Sequence, residues 1–162
     1  MTVVKWLGIA LGLLALALFL AGQLGLLRGS MPKHLGVNEG KLKRPSETPN
    51  SVSSQADLWP DHPQRDYARI APFALRSGDA SATLARLQQL VEDHPGAKLV
   101  TSSEGYLYAQ FTTRWLKFTD DVEFWLDPGA GVIQVRSASR LGRKDLGVNR
   151  ARIEALRAQL AK

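Results

Sequence analysis

The residues that decide the fold are Tyr106-Leu107-Tyr108-Ala109-Gln110-Phe111-Thr112, then Asp121-Val122-Glu123-Phe124-Trp125-Leu126-Asp127, then Val132-Ile133-Gln134-Val135-Arg136-Ser137-Ala138-Ser139. In each run apolar and polar side chains alternate, which is the period of a strand with one buried face. Extended segments are predicted at about Lys98 to Ser102, Tyr106 to Trp115, Asp121 to Asp127 and Val132 to Ser139, separated by loops such as Ser103-Glu104-Gly105 and Pro128-Gly129-Ala130-Gly131. Loops this short join antiparallel neighbours. Leu107, Ala109, Phe111, Val122, Phe124, Leu126, Ile133 and Val135 fall on one face, the predicted core. The other face carries Tyr106, Tyr108, Gln110, Thr112, Arg114, Asp121, Glu123, Trp125, Gln134, Arg136 and Ala138. A register with Leu126 facing Ile133 and Phe124 facing Val135 sets Glu123 opposite Arg136, an opposite-charge cross-strand pair.

Outward from the meander, Asp79 reads as the N-cap of a helix with Leu84, Leu87, Leu90 and Val91 as its apolar stripe and His94-Pro95-Gly96 as its stop. A last helix opens after Asn149, with Ile153, Leu156 and Leu160 facing inward. Arg69-Ile70-Ala71 is expected to add an edge strand ahead of the first of these helices. The fold class is α+β: a four- to five-stranded antiparallel sheet with two helices on one face, preceded by one N-terminal transmembrane helix.

That N-terminal segment is the uncharged run from Trp6 to Leu27, twenty-two residues bounded by Lys5 and Arg28. As a helix it is roughly 33 Å long, enough to cross a bilayer. A secretory signal has a shorter apolar core and small residues before its cleavage site. Cleavage after Ala21 or Gly22 would put Phe19 or Leu20 at the third position back, so an uncleaved single-pass anchor is expected, with the bilayer as a partner through residues 6–27. Gly8 and Gly12 form a small-xxx-small pair that two copies of the helix can use for close approach. Residues 28–66 hold five prolines and no apolar period. The stretch to about Arg44 reads as a basic tether able to lie on anionic head groups. Pro49-Asn50-Ser51-Val52-Ser53-Ser54-Gln55 is either a solvated loop or an ordered strap whose side chains line a site. The expected organisation is an anchor at 1–28, a flexible basic linker at 29–48 and an α+β domain at 49–162.

The net charge of +6 is unevenly spread. Residues 1–45 carry six basic groups against one acid, 46–135 seven against twelve, and 136–162 eight against two. The acidic middle and basic end of the folded part nearly cancel, and no RNP, KH, helix-turn-helix or zinc-finger pattern is present, so nucleic acid is not an expected partner. The absence of cysteine excludes disulfides, thiolate metal sites, iron–sulfur clusters and a Cys nucleophile. His34, His62 and His94 have no spacing suited to zinc, and no cofactor or metal is expected. Asp120, Asp121, Glu123 and Asp127 could ligate a divalent cation, yet alternation sends Asp120 away from Asp121 and Glu123.

The most distinctive text is Asp120-Asp121-Val122-Glu123-Phe124, Arg136-Ser137-Ala138-Ser139-Arg140, and Asp145-Leu146-Gly147-Val148-Asn149-Arg150-Ala151-Arg152, preceded by the Pro49 to Ser54 stretch. Together these resemble the uncharacterised family Domain of Unknown Function 1499, over roughly residues 45–160. One departure is Ser51, where many members carry Cys. The resemblance implies no activity. It does imply an exported setting, since other members look exported or lipid-anchored, and so favours the periplasmic side of a bacterial inner membrane. The charges flanking the helix do not decide the side: Arg28, Lys33 and Lys41 compete with Lys5 and the α-amino group.

Arg150 and Arg152 fall in the first turn of the last helix, where the dipole disfavours cations by about 0.3–1 kcal/mol each. Compensation comes either from an internal carboxylate, with Asp121, Glu123 and Asp145 as candidates, or from an external anion between the helix amides and the arginines. The leading expectation is a non-catalytic binding or scaffold domain whose polar sheet face and Arg-rich helix start hold an anionic ligand or an envelope protein. Its candidate residues are Asn50, Ser53, Ser54, Asp121, Glu123, Arg136, Ser139, Arg140, Asp145, Asn149, Arg150 and Arg152. The alternative is an enzyme of unknown reaction using Asp121, Glu123 and Ser53 or Ser54. A hydrolase triad of one of these serines with His62 and an aspartate lacks the G-x-S-x-G elbow.

Overall fold

The computed structural model describes residues 2–76 and 78–162; Met1, whose α-amino group entered the charge balance, and Ser77 lie outside them. Helix α1 (Thr2–Gln23) is rich in Leu and Ala and free of Pro, and it is long and apolar enough to cross a membrane or to serve as a signal sequence. Its last turn rests on the domain. Gly22 comes so close to the backbone of Leu116 that a Cβ there would lie 2.7 Å from the Leu116 carbonyl oxygen. Gln23 donates to the Trp115 carbonyl at 2.8 Å, and the Phe19 and Trp115 rings stand 6.4 Å apart.

The sheet is antiparallel throughout. Strand β1 (Ser51–Ser53) and the two-residue β2 (Phe73–Ala74) both pair with β6 (Val132–Ser139), which pairs with β5 (Thr119–Asp127), then β4 (Tyr106–Thr112) and β3 (Ala97–Ser103). The register between β5 and β6 sets Leu126 opposite Ile133, Phe124 opposite Val135 and Glu123 opposite Arg136, as the alternation demanded. Helices α3 (Ala80–Glu92) and α4 (Val148–Leu160) cover one face. Leu87, Leu90 and Val91 from α3 and Ile153, Leu156 and Leu160 from α4 join Leu107, Ala109, Phe111, Val122, Phe124, Ile133 and Val135 in one buried cluster. Asp79 caps α3 by accepting from the Ala82 amide at 2.8 Å.

Three local expectations are corrected. Arg69-Ile70-Ala71 is not an edge strand: Arg69 makes one parallel bridge to Ser53, and the strand begins at Phe73. The Ala71 and Pro72 carbonyls are taken by the Arg157 guanidinium at 2.7 Å each, and Pro72 has no amide to give a ladder. It is preceded by the short helix α2 (Arg65–Ala68), in a stretch read as irregular. Trp115 lies outside β4, in a loop closed by the Thr113 amide donating to the Phe118 carbonyl at 2.9 Å. Helix α4 opens one residue before Asn149, because the cap is supplied by Asp145, whose carbonyl accepts from Val148 and whose carboxylate accepts from Gly147 and Asn149.

The second face of the sheet is also covered. Residues 28–50 cross it as a strap: Gly29 abuts Arg140, the Gly36 amide reaches Glu123, Leu42 is buried, and the Arg44 carbonyl reaches Arg136. Gln55 ties the strap down, accepting from the Leu42 amide at 2.8 Å and donating to the Gly40 carbonyl at 3.1 Å. Of the two readings for Pro49 to Gln55, the solvated loop is overturned: the stretch is ordered, with Ser51–Ser53 paired on β6.

Candidate functional site

Alternation along β5 and β6 sorts the predicted site residues into two groups separated by the sheet. Beneath the strap lie Asp121, Glu123, Arg136 and Arg140. On the helix face, at the end where α4 begins, lie Asn50, Ser139, Asp145, Asn149 and Arg152. The backbone of β5 and β6 stands between the two groups, which approach each other only at the end of β6, where Ser139 also reaches the strap side.

The helix-face group is closed except at Asn50 Oδ1, which is buried without a hydrogen-bond partner among the described residues. Arg152 donates to Asp120 at 2.5 Å, to the Asn149 carbonyl oxygen Oδ1 at 2.8 Å and to Ser137 Oγ at 3.0 Å, with its guanidinium over the Phe111 ring. The compensation is therefore internal: of the carboxylates weighed, Asp145 docks at the helix start on the Gly147 and Asn149 amides, while Arg152 itself is paired with Asp120, which was not among them, and Asp121 and Glu123 lie on the other face. Arg150 takes no carboxylate and donates to the Tyr67 carbonyl at 2.6 Å. Asn149 Nδ2 donates to Asp145 at 2.8 Å, to Ser139 Oγ at 3.0 Å and to the Asn50 carbonyl at 3.1 Å. Asn50 in turn donates to the Gly142 carbonyl at 2.8 Å. Burial would raise the Asp145 carboxyl, but hydrogen bonds from Tyr67, Asn149 and the Gly147 and Asn149 amides outweigh it and hold the group below the usual carboxylate range. Such a network locks β1, β6 and α4 together.

The strap-face group is satisfied at one end and incomplete at the other. Asp121, fully buried, receives two bonds from Arg140, at 2.9 and 2.7 Å, and one from the Tyr108 hydroxyl at 2.6 Å. Its hydrogen bonds in turn raise the Arg140 guanidinium. Glu123 uses only Oε1, which accepts from the Gly36 amide at 2.6 Å and from Tyr106 at 2.8 Å. Its Oε2 sits 3.8 Å from Arg136 Nη1, and both atoms are buried without a hydrogen-bond partner. Burial raises the Glu123 carboxyl and lowers the Arg136 guanidinium, so desolvation exceeds their mutual attraction.

Arg136 and Arg140 also line a cleft of about 380 Å³ between sheet and strap, together with Lys43, Arg44, Ser30, Ser46 and Ser139. Glu47 is the one carboxylate on its wall, and it is engaged by Arg44 at 2.5 Å. Lys43 and Arg44 were read as tether charges, and Gly36 and Tyr106 carried no signal as partners of Glu123. Asp120 was legible in principle: a carboxylate placed by alternation on the apolar face needs a partner there.

Ser53 and Ser54 are used structurally. Ser53 Oγ accepts from the Gln55 amide at 3.2 Å, and Ser54 Oγ donates to Gln134 at 2.7 Å and accepts from the Val135 amide at 2.8 Å. His62 accepts from the Gln64 amide at 3.1 Å and faces Glu47 at 3.8 Å, so it bonds to neither serine. Among the described residues, no group of three or more His, Asp or Glu is placed to hold a metal ion.

A family model described as "Protein of unknown function (DUF1499)" matches residues 41–160. The chain belongs to this family. No curated protein and no solved structure matches it. The DUF1499 span starts just before Leu42, so it takes in Lys43 and Arg44 of the cleft as well as both charged groups, while Ser30 and Gly36 lie outside it. Ser51, within the DUF1499 span, is buried and accepts from the Ser46 amide at 2.8 Å, joining strap to sheet.

Proposed function

We propose that this chain is a membrane-tethered, non-catalytic binding domain of the bacterial envelope, on the periplasmic side, that holds an anionic group in the cleft between strap and sheet. One observation carries the reading: Lys43, Arg44, Arg136 and Arg140 line one cleft on whose wall Glu47 is the one carboxylate. An oxygen of a carboxylate or phosphate group is the partner that suits such a cluster, since a guanidinium fork matches these groups. Arg140, already held by Asp121, would orient the cleft wall, and Lys43 and Arg44 would supply attraction at the mouth. The expected ligand is therefore a small anion or an anionic group on an envelope protein.

The test is thermal melting of the full chain in neutral detergent with inorganic phosphate or succinate against chloride at matched ionic strength. A rise in Tm that grows with the logarithm of the concentration of one of these anions is expected, equivalent to about 2.7 kcal/mol of stabilisation at a hundredfold excess over Kd. Lys43→Ala should weaken the effect without loss of folding. An identical Tm in all three salts overturns the reading.

A further inference from the structure

A second surface surrounds the foot of α1, at the end of the sheet where β4 turns into β5 and β6 runs into α4. Loops 113–118 and 140–147 carry Arg114, Lys117, Arg143 and Lys144, and their one acid, Asp145, is buried in the helix cap. Among these cations stand exposed apolar side chains: Trp115, Phe118, Leu141, Leu146 and Val148. Phe118, Leu141, Leu146 and Val148 line a mainly apolar cavity of about 260 Å³ together with Lys144. Leu146 is 91% exposed and held at φ +53°. That left-handed conformation is unfavourable for a leucine, and the side chain it presents is almost wholly open to solvent.

We infer that this face docks on a bilayer surface containing anionic lipid, with Trp115 and Leu146 entering the interfacial region and the four cations meeting the head groups. The inference rests on α1 crossing a membrane, part of the reading proposed above. The occupant follows from position: Gln23, Gly22 and Phe19 pack directly on Trp115 and Leu116, so a bilayer crossed by α1 has its surface at these loops. Tryptophan and basic residues are the side chains that suit that depth. The two sites adjoin at Ser139 and Arg140, but Lys43 and Arg44 of the cleft lie outside this face, so changes at Lys43 and at Lys117 with Lys144 probe them separately.

The chain has no cysteine, so single introduced cysteines carry an environment-sensitive fluorophore without background. Labels are placed at Leu146→Cys on the face, at Leu14→Cys in mid-α1, and at Ala130→Cys in the turn at the far end of β5, roughly 30 Å away along the strand. The full chain is reconstituted in nanodiscs of phosphatidylcholine, or of equal parts phosphatidylcholine and phosphatidylglycerol, with a lipid-borne nitroxide quencher. The expected result is quenching at position 146 several-fold above that at 130, stronger with phosphatidylglycerol, and reduced by Lys117→Glu with Lys144→Glu. Quenching at 14 with equal, weak quenching at 146 and 130 overturns the docking face and leaves the anchor standing. No quenching at 14 removes the anchor and the docking face with it. Quenching at 146 that ignores both phosphatidylglycerol and the charge reversals overturns the assignment of an anionic surface.

Discussion

Asp121 and Glu123 are two residues apart on the same strand, point to the same face and are both fully buried, yet they live in different electrostatic states. Asp121 meets Arg140, which lies two residues beyond its directly opposed partner Ala138, and forms two charge-assisted bonds. Glu123 faces its opposed Arg136 and fails to bond with it, at 3.8 Å. The difference comes from the strap. The Gly36 amide and Tyr106 draw Oε1 of Glu123, while the Arg44 carbonyl takes Nε of Arg136 at 3.3 Å. Register brings charges together, and competition from a third segment decides whether they pair.

The sharpest way to break this comparison is to delete one partner of the tight pair. Arg140→Ala leaves Asp121 buried without its cation, and a loss of about 3–5 kcal/mol is expected in urea unfolding of the full chain in detergent. A loss under about 1 kcal/mol would mean that Asp121 is solvated and that the two pairs do not differ. Next in size is the network on the opposite face. Asp145→Asn removes the charge that caps α4, for an expected loss of about 2 kcal/mol at neutral pH. The sign with pH follows from its lowered carboxyl: the stabilisation is present above the unfolded value near ~3.9 and is lost as pH falls through the lower folded value. The variant's stability should therefore fall less steeply than that of the unaltered chain over that acidic window, and parallel curves would refute the cap. Smallest of all should be the double change Glu123→Gln with Arg136→Met. Removing both members of a poorly satisfied buried pair is expected to shift stability by no more than about 1 kcal/mol, in either direction. Completing the cycle with each single change then yields a coupling well below that of Asp121 with Arg140, whereas equal couplings would erase the distinction.

Much of this was readable from side-chain period. Leu107, Val122, Phe124, Ile133 and Val135 are core because they alternate, and the same count placed Glu123 across from Arg136. The N-cap at Asp79 followed from residue type and the apolar stripe behind it. Two features were missed. Of the carboxylates weighed for the start of α4, Asp121 and Glu123 lie across the sheet, while Asp120, on the face where α4 packs, was passed over. The strap over the polar face was missed because it bonds there through backbone groups such as the Gly36 amide and the Arg44 carbonyl.

The amino-acid order settled what repeats locally: which side chains share a face, where α3 starts, that an apolar helix long enough to cross a membrane stands near the N-terminus, and which family the chain joins. Tertiary structure decided which distant segment lies over each face, and hence which carboxylate is satisfied. The physical reason is that the strap acts through the Gly36 amide and the Arg44 carbonyl, an N–H that every residue but proline carries and a C=O that every residue carries, so no side-chain pattern announces where they will bind.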